Sequence, residues 1–165
     1  MTIVHLAPVT RENWQACCEL SLPAEQQDFV ASNLYSIAEA QFYPTMHVRA
    51  IMTQADTLVV LAVYGLSPNT GQYRIARLMI DQAFQGQGYG RAAMQAILAE
   101  AAALGTIDQV WLCYREHNHA ARYLYQSLGF QEQSCDANGR IVAMYPLATH
   151  DKEQQAANCS GIPLA

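Results

Sequence analysis

The chain has 165 residues, 52% of them apolar and 14% charged, a balance that fits one packed domain and excludes a disordered chain. The formal net charge of −5 disfavours nucleic acid and an anionic membrane surface as partners and suits a cationic substrate. No run approaches the ~20 apolar residues that cross a bilayer, and Met1 to Pro8 shows no secretory signal, so a cytoplasmic protein is expected.

Taken in chain order, residues 2–7 alternate as a strand closed by Pro8, and Thr10 offers a cap for a short helix over 11–20. Cys17 and Cys18 are adjacent on that helix and cannot jointly clamp a metal. With Cys113, Cys135 and Cys159 they make an odd count without zinc or disulfide spacing, so buried structural thiols and no metal are expected. Leu22-Pro23-Ala24-Glu25 starts a second helix, with Pro23 near its first position. Its apolar marks at Phe29, Val30, Leu34, Ile37 and Ala38 keep helical spacing and stop before Pro44.

Residues 47–53 and 57–65 read as strands, the second apolar throughout and therefore central. Residues 67–71 are a turn by composition, and 72–81 form a further strand ending in Leu78-Met79-Ile80-Asp81. A glycine-rich loop leads into an alanine-rich helix over 89–104, ended by Gly105. Residues 110–114 are strand-like, and 118–128 form a helix closed by Gly129. Residues 130–135 and 140–147 flank Asp136-Ala-Asn138-Gly139, a hairpin signal. From 148 to 165 the composition loses period, and a flexible or disordered tail is expected. The order β-α-α-β-β-β-α-β-α-β-β makes residues 1–147 one domain, α/β in class with a mixed sheet.

The stretch Gln85-Gly86-Gln87-Gly88-Tyr89-Gly90-Arg91 carries the chemistry. It runs from a strand into a helix, and its three glycines let backbone N–H groups turn toward one point. The helix start adds free donors and partial positive charge, which together make an anion cradle fit for a pyrophosphate. A plain tight turn is the bland alternative. The P-loop is excluded because no Gly-Lys-Ser/Thr follows, and the dinucleotide fingerprint fails at its last glycine.

The spacing Gln-x-x-Gly-x-Gly at Gln85, Gly88 and Gly90 resembles the coenzyme A motif of the GCN5-related N-acetyltransferase (GNAT) family. A second match lies downstream. Asn118, Ala121, Leu124, Tyr125, Gly129 and Phe130 fall on the family's Asn-x-x-Ala-x-x-Leu-Tyr-x-x-x-Gly-Phe pattern. The resemblance covers roughly residues 2–147 and implies a single-domain GNAT fold: a central twisted mixed sheet flanked by helices. It also implies acetyl-CoA as cosubstrate, held by Leu78, Met79, Ile80, Gln85, Gly86, Gln87, Gly88, Tyr89, Gly90, Arg91 and Asn118.

By the same resemblance Tyr125 is the general acid that reprotonates the leaving thiolate; a core tyrosine is the alternative. Tyr123 is assigned to packing or to the substrate side. Carbonyl polarisation falls to a backbone N–H near Met79 or Ile80. The base is left among Glu39, Glu116 and Asp81, with Glu39 the first choice, and His5, His47, His117 and His119 behind them.

The segment from Glu25 to Ala40, followed by Tyr43-Pro44, is similar to a bacterial subgroup of spermine/spermidine acetyltransferases. A polyamine needs spaced carboxylates and aromatic faces, which Asp28, Phe29, Tyr35, Glu39 and Tyr43 would supply. Other small amines, aminoglycosides, amino acids and protein N-termini are the competing acceptors, and a non-catalytic acetyl-CoA sensor is the competing class. The edge strands of such a sheet offer a surface for a homodimer.

Overall fold

The computed structural model describes residues 2–147, so the expected tail lies outside the described residues. Seven strands form one sheet in the order β1-β2-β3-β4-β5-β7-β6. They are β1 (Val4–Pro8), β2 (Met46–Thr53), β3 (Leu58–Leu66), β4 (Tyr73–Ile80), β5 (Gln109–Arg115), β6 (Gln131–Cys135) and β7 (Arg140–Pro146). All neighbours pair antiparallel except β4 and β5. The helices are α1 (Trp14–Glu19), α2 (Asn33–Ala40), α3 (Tyr89–Ala103) and α4 (His119–Leu128), and the element order is the one expected from sequence.

Val59 to Tyr64 of β3 are buried on both faces, as their unbroken apolar run requires. One face meets α3 through Ala93, Met94, Ile97 and Ala101, and α4 adds Leu124 and Leu128 to the same core. The other face packs Ala50 and Leu61 against Cys17 of α1, with Ile37 of α2 beside them. Each large apolar side chain buried this way contributes about 1.5–3 kcal/mol.

The expected long second helix is broken. Only one 3-10 turn, Ala24–Gln26, stands where it should begin, and α2 starts at Asn33. Ser32 stops it from running through: its backbone is extended, and its Oγ accepts from the Tyr35 N–H at 3.2 Å as an N-cap. Phe29 and Val30 therefore leave the helical face and turn toward the sheet opening. The thiols also depart in part from expectation. Cys17 is fully buried, Cys18 and Cys113 are half-buried, and Cys135 is exposed at the end of an edge strand. Among the described residues, no helix is long and apolar enough to cross a membrane.

Candidate active site

The site begins where two strands part. β4 and β5 pair over three positions only, Tyr73↔Val110, Arg74↔Trp111 and Ile75↔Leu112. At that point Ala76 is an extra residue in β4: Ile75 faces Tyr64 and Arg77 faces Val63, with nothing on β3 opposite Ala76. Such a bulge bends the strand and raises its twist. Beyond it β4 stays with β3 to Ile80↔Val60, and no ladder joins residues 76–80 to β5.

A cavity of about 390 Å³ opens along this gap, with Leu78 and Ile80 on its wall. Gly86, Gly88, Gly90 and Arg91 close one end, and Asn118, Leu124 and Tyr125 line it from α4. Gly88 is the residue before α3 and holds φ +85°, and Gly86 holds φ +74° with open space where a side chain would be. These are left-handed backbones that favour glycine. At Gly90 a Cβ would lie 3.3 Å from Ile80 and 3.4 Å from Leu124, so its absence lets β4 and α4 approach each other.

The loop's side chains face mostly inward. Asp81 accepts from Ala83 N–H at 2.9 Å and Ser21 N–H at 2.8 Å, which spends it as a cap. Gln85 donates to the Ile80 carbonyl at 3.1 Å and to Gln26 at 2.9 Å, and Gln26 donates back at 3.1 Å. Gln87 donates to the Ala83 carbonyl at 2.8 Å, and Tyr89 stacks edge-on against Phe84 at 5.8 Å. Of the residues expected to hold a coenzyme, Leu78, Ile80, Gln85, Gly86, Gly88, Gly90, Arg91 and Asn118 line the cavity. Met79, Gln87 and Tyr89 do not; the Met79 sulfur sits 3.8 Å from the Asn33 amide nitrogen on the other face of the sheet. Asn118 caps α4, its Oδ1 accepting from Ala121 N–H at 3.1 Å.

Tyr125 is half-buried between Tyr114 at 5.4 Å and Phe130 at 5.8 Å, ring centre to ring centre. It borders the cavity, and no buried polar side-chain atom among the described residues lacks a partner. Burial pushes the phenol up to about 12, with the neighbouring Cys113 thiol adding to the shift. Tyr123 is exposed and also lines this cavity.

A second cavity of about 350 Å³ adjoins the first, and Ile75, Ala76, Arg77 and Cys113 line both. Of the expected acceptor residues Phe29 lines the first cavity, Glu39 and Tyr43 line the second, and Asp28 and Tyr35 line neither. Phe29 stacks on His117 at 5.3 Å, while Asp28 beside it is exposed. Glu39 accepts from Arg77 at 2.6 Å and from the Tyr35 hydroxyl at 3.1 Å, and Arg77 lies over the Tyr35 ring at 5.4 Å. The Arg77 guanidinium holds the Glu39 carboxyl below the usual carboxylate range, which makes it a weak base.

Sequence reasoning missed Arg74, Arg77, Arg140 and Cys113. The two arginines inside an otherwise apolar β4 were the available signal, because a strand does not carry unpaired charge into a core. Arg140 arrives from β7 and has no local signature.

The model of the Acetyltransferase (GNAT) family matches residues 13–130. A spermine/spermidine N(1)-acetyltransferase of Bacillus subtilis (strain 168) is 28% identical over 151 residues, covering 87% of this chain and 99% of its own length. A [ribosomal protein bS18]-alanine N-acetyltransferase of Haemophilus ducreyi is 29% identical over 101 residues, 61% of this chain and 64% of its own. Among solved structures, spermidine N-acetyltransferase from Vibrio cholerae, in complex with CoA and spermine, superposes with a TM-score of 0.70 at 13% identity. That match covers 88% of this chain and 96% of the other.

Proposed function

This chain belongs to the acetyltransferase (GNAT) family, and from that premise we propose that it moves the acetyl group of acetyl-CoA directly to a primary amine, with Tyr125 as general acid. The observation that carries this reading is the three-pair seam between β4 and β5, with a glycine cradle at one end of the gap and Tyr125 along it.

The cradle fits the cosubstrate. Gly86, Gly88 and the start of the fifteen-residue α3 offer backbone N–H groups to a pyrophosphate. The unladdered edge of residues 76–80 supplies backbone groups to the pantetheine amides and to the thioester carbonyl. The Asn118 Nδ2 remains available while its Oδ1 caps α4.

In the reaction the neutral amine attacks the thioester carbonyl from the second cavity. A C–N bond forms, the C–S bond breaks, and the thiolate takes the Tyr125 proton. The amine's surplus proton leaves through solvent, and solvent returns a proton to the Tyr125 phenolate, which restores the acid for the next turnover. Glu39, weakened as a base by Arg77, shapes the acceptor side.

Two acceptors have support from relatives: a polyamine, from the Bacillus subtilis enzyme, and a protein N-terminus, from the Haemophilus ducreyi enzyme. Aromatic faces at Tyr35 and Tyr43 beside Glu39 favour the polyamine. The rest of the cleft wall is cationic and pulls the other way. Thiol release from acetyl-CoA against spermine, spermidine, single amino acids, short peptides and aminoglycosides tests the reading. Saturable release with an amine is expected, and its absence across the panel while acetyl-CoA binds would leave a sensor.

A further inference from the structure

The second cavity carries a charge opposite to that of the whole chain. Its wall presents three guanidinium groups, from Arg74, Arg77 and Arg140, and one carboxylate, from Glu39. Two of the cations are matched: Arg77 by Glu39 at 2.6 Å, and Arg140 by Asp136 at 2.7 Å. Arg74 has no ionic partner among the described residues. Its side chain makes one hydrogen bond there, to the neutral Gln72 amide oxygen at the long distance of 3.5 Å.

Position adds to this. Arg74 sits in the short stretch of β4 that pairs with β5, opposite Trp111 and next to Ile75, which borders both cavities. Arg74 is half-buried and lines the cavity from which, in the acetyl-transfer reading, the acceptor amine approaches.

A linear polycation entering this space meets like charge and must share Glu39 with Arg77, which already neutralises it. An acceptor that carries a carboxylate gives Arg74 the partner it lacks, and a planar guanidinium suits a carboxylate in two-pronged geometry. A chain of net charge −5 that gathers three arginines on one cleft wall places there a local field of the opposite sign.

Resting on the acetyl-transfer reading, we infer that the acceptor is an amino-acid-like molecule, a primary amine that also bears a carboxylate. Its carboxylate pairs with Arg74, and its amine points at the junction of the two cavities.

Amines that differ only by the carboxylate decide the matter: lysine against cadaverine, ornithine against putrescine, with spermidine alongside. In thiol release from acetyl-CoA, kcat/KM about tenfold or more higher for the amino acid of each pair is expected, as for one charged hydrogen-bonded contact. Arg74→Gln then brings the ratio toward one. Equal rates within the pairs, or a preference for the diamines and spermidine, would overturn the inference. If no amine is turned over, the transfer reading fails, and calorimetry on the CoA-bound protein still decides the carboxylate question. Tighter binding of lysine than cadaverine upholds it there, and equal or absent binding of both overturns it.

Discussion

Gln26 and Gln85 exchange side-chain amide hydrogen bonds over 59 residues of sequence, at 3.1 and 2.9 Å. Through them the turn Ala24–Gln26 holds the glycine loop against the end of β4, where Gln85 also grips the Ile80 carbonyl. Gln26→Ala removes both hydrogen bonds between the two side chains, leaves only the Gln85–Ile80 bond, and alters no residue of the loop. KM for acetyl-CoA is expected to rise about threefold to tenfold, the scale of a net hydrogen-bond contribution, with kcat little altered. Steady-state kinetics with varied acetyl-CoA checks it; an unchanged KM would show that the loop holds its shape unaided.

Tyr125→Phe keeps the ring that packs on Tyr114 and Phe130 and removes only the hydroxyl. Turnover is expected to fall by about 10²–10⁴-fold while acetyl-CoA affinity stays within a factor of about two. Wild-type turnover in the variant would take Tyr125 out of the mechanism.

The direction of the Tyr125 shift sets a pH dependence. Its value is raised to about 12, so the phenol keeps its proton throughout the range in which an alkyl amine loses its own. The rate should therefore rise with pH from about 7 to 10, following the amine, with no alkaline fall from the acid. An alkaline limb below pH 10 that disappears in Tyr125→Phe would contradict the environment described for that hydroxyl.

Glu39 gains its stability effect from ionisation. Its carboxyl is held below the unfolded value, chiefly by the Arg77 hydrogen bond, so the contribution is present above the unfolded pKa and is lost as pH falls through the folded one. With the two side chains 18% and 30% exposed, the pair is worth about 1 kcal/mol at most. Glu39→Gln should lower Tm by a few degrees at pH 7, and the gap to the parent should close in acid. A gap that persists at pH 3 would assign the loss to packing instead.

Gly88→Val forces a β-branched side chain into φ +85° and sets its Cβ 3.2 Å from the Thr2 hydroxyl. The strain of about 1–2 kcal/mol acts at the residue just before α3, so both Tm and acetyl-CoA affinity should drop. A folded variant with unchanged affinity would remove the loop from the binding surface.

Much of this arrangement was legible in the sequence because it is written locally. The apolar run of β3, the Asn118 cap and the glycines before α3 each state their conformation within a few residues. The broken second helix was not, since the spacing of Phe29 and Val30 mimics a helical face while Ser32 caps the helix after them. The pairing of Arg77 with Glu39 spans 38 residues, and Arg140 meets the cleft through the β5–β7 register. The net charge of −5 did not disclose this wall, because the sum over a chain says nothing of how its signs are sorted in space.

The opening in the sheet is a matter of counting. Ala76 is the one residue by which β4 exceeds its partner at the bulge, and it offers only a methyl group, so what it contributes there is length. The bend at the entrance thus depends on the number of residues in β4 rather than on the side chain at position 76. Losing that residue would return β4 to regular register with β3 and remove the local bend beside which β4 and β5 part, whereas exchanging it for another small amino acid would keep the count.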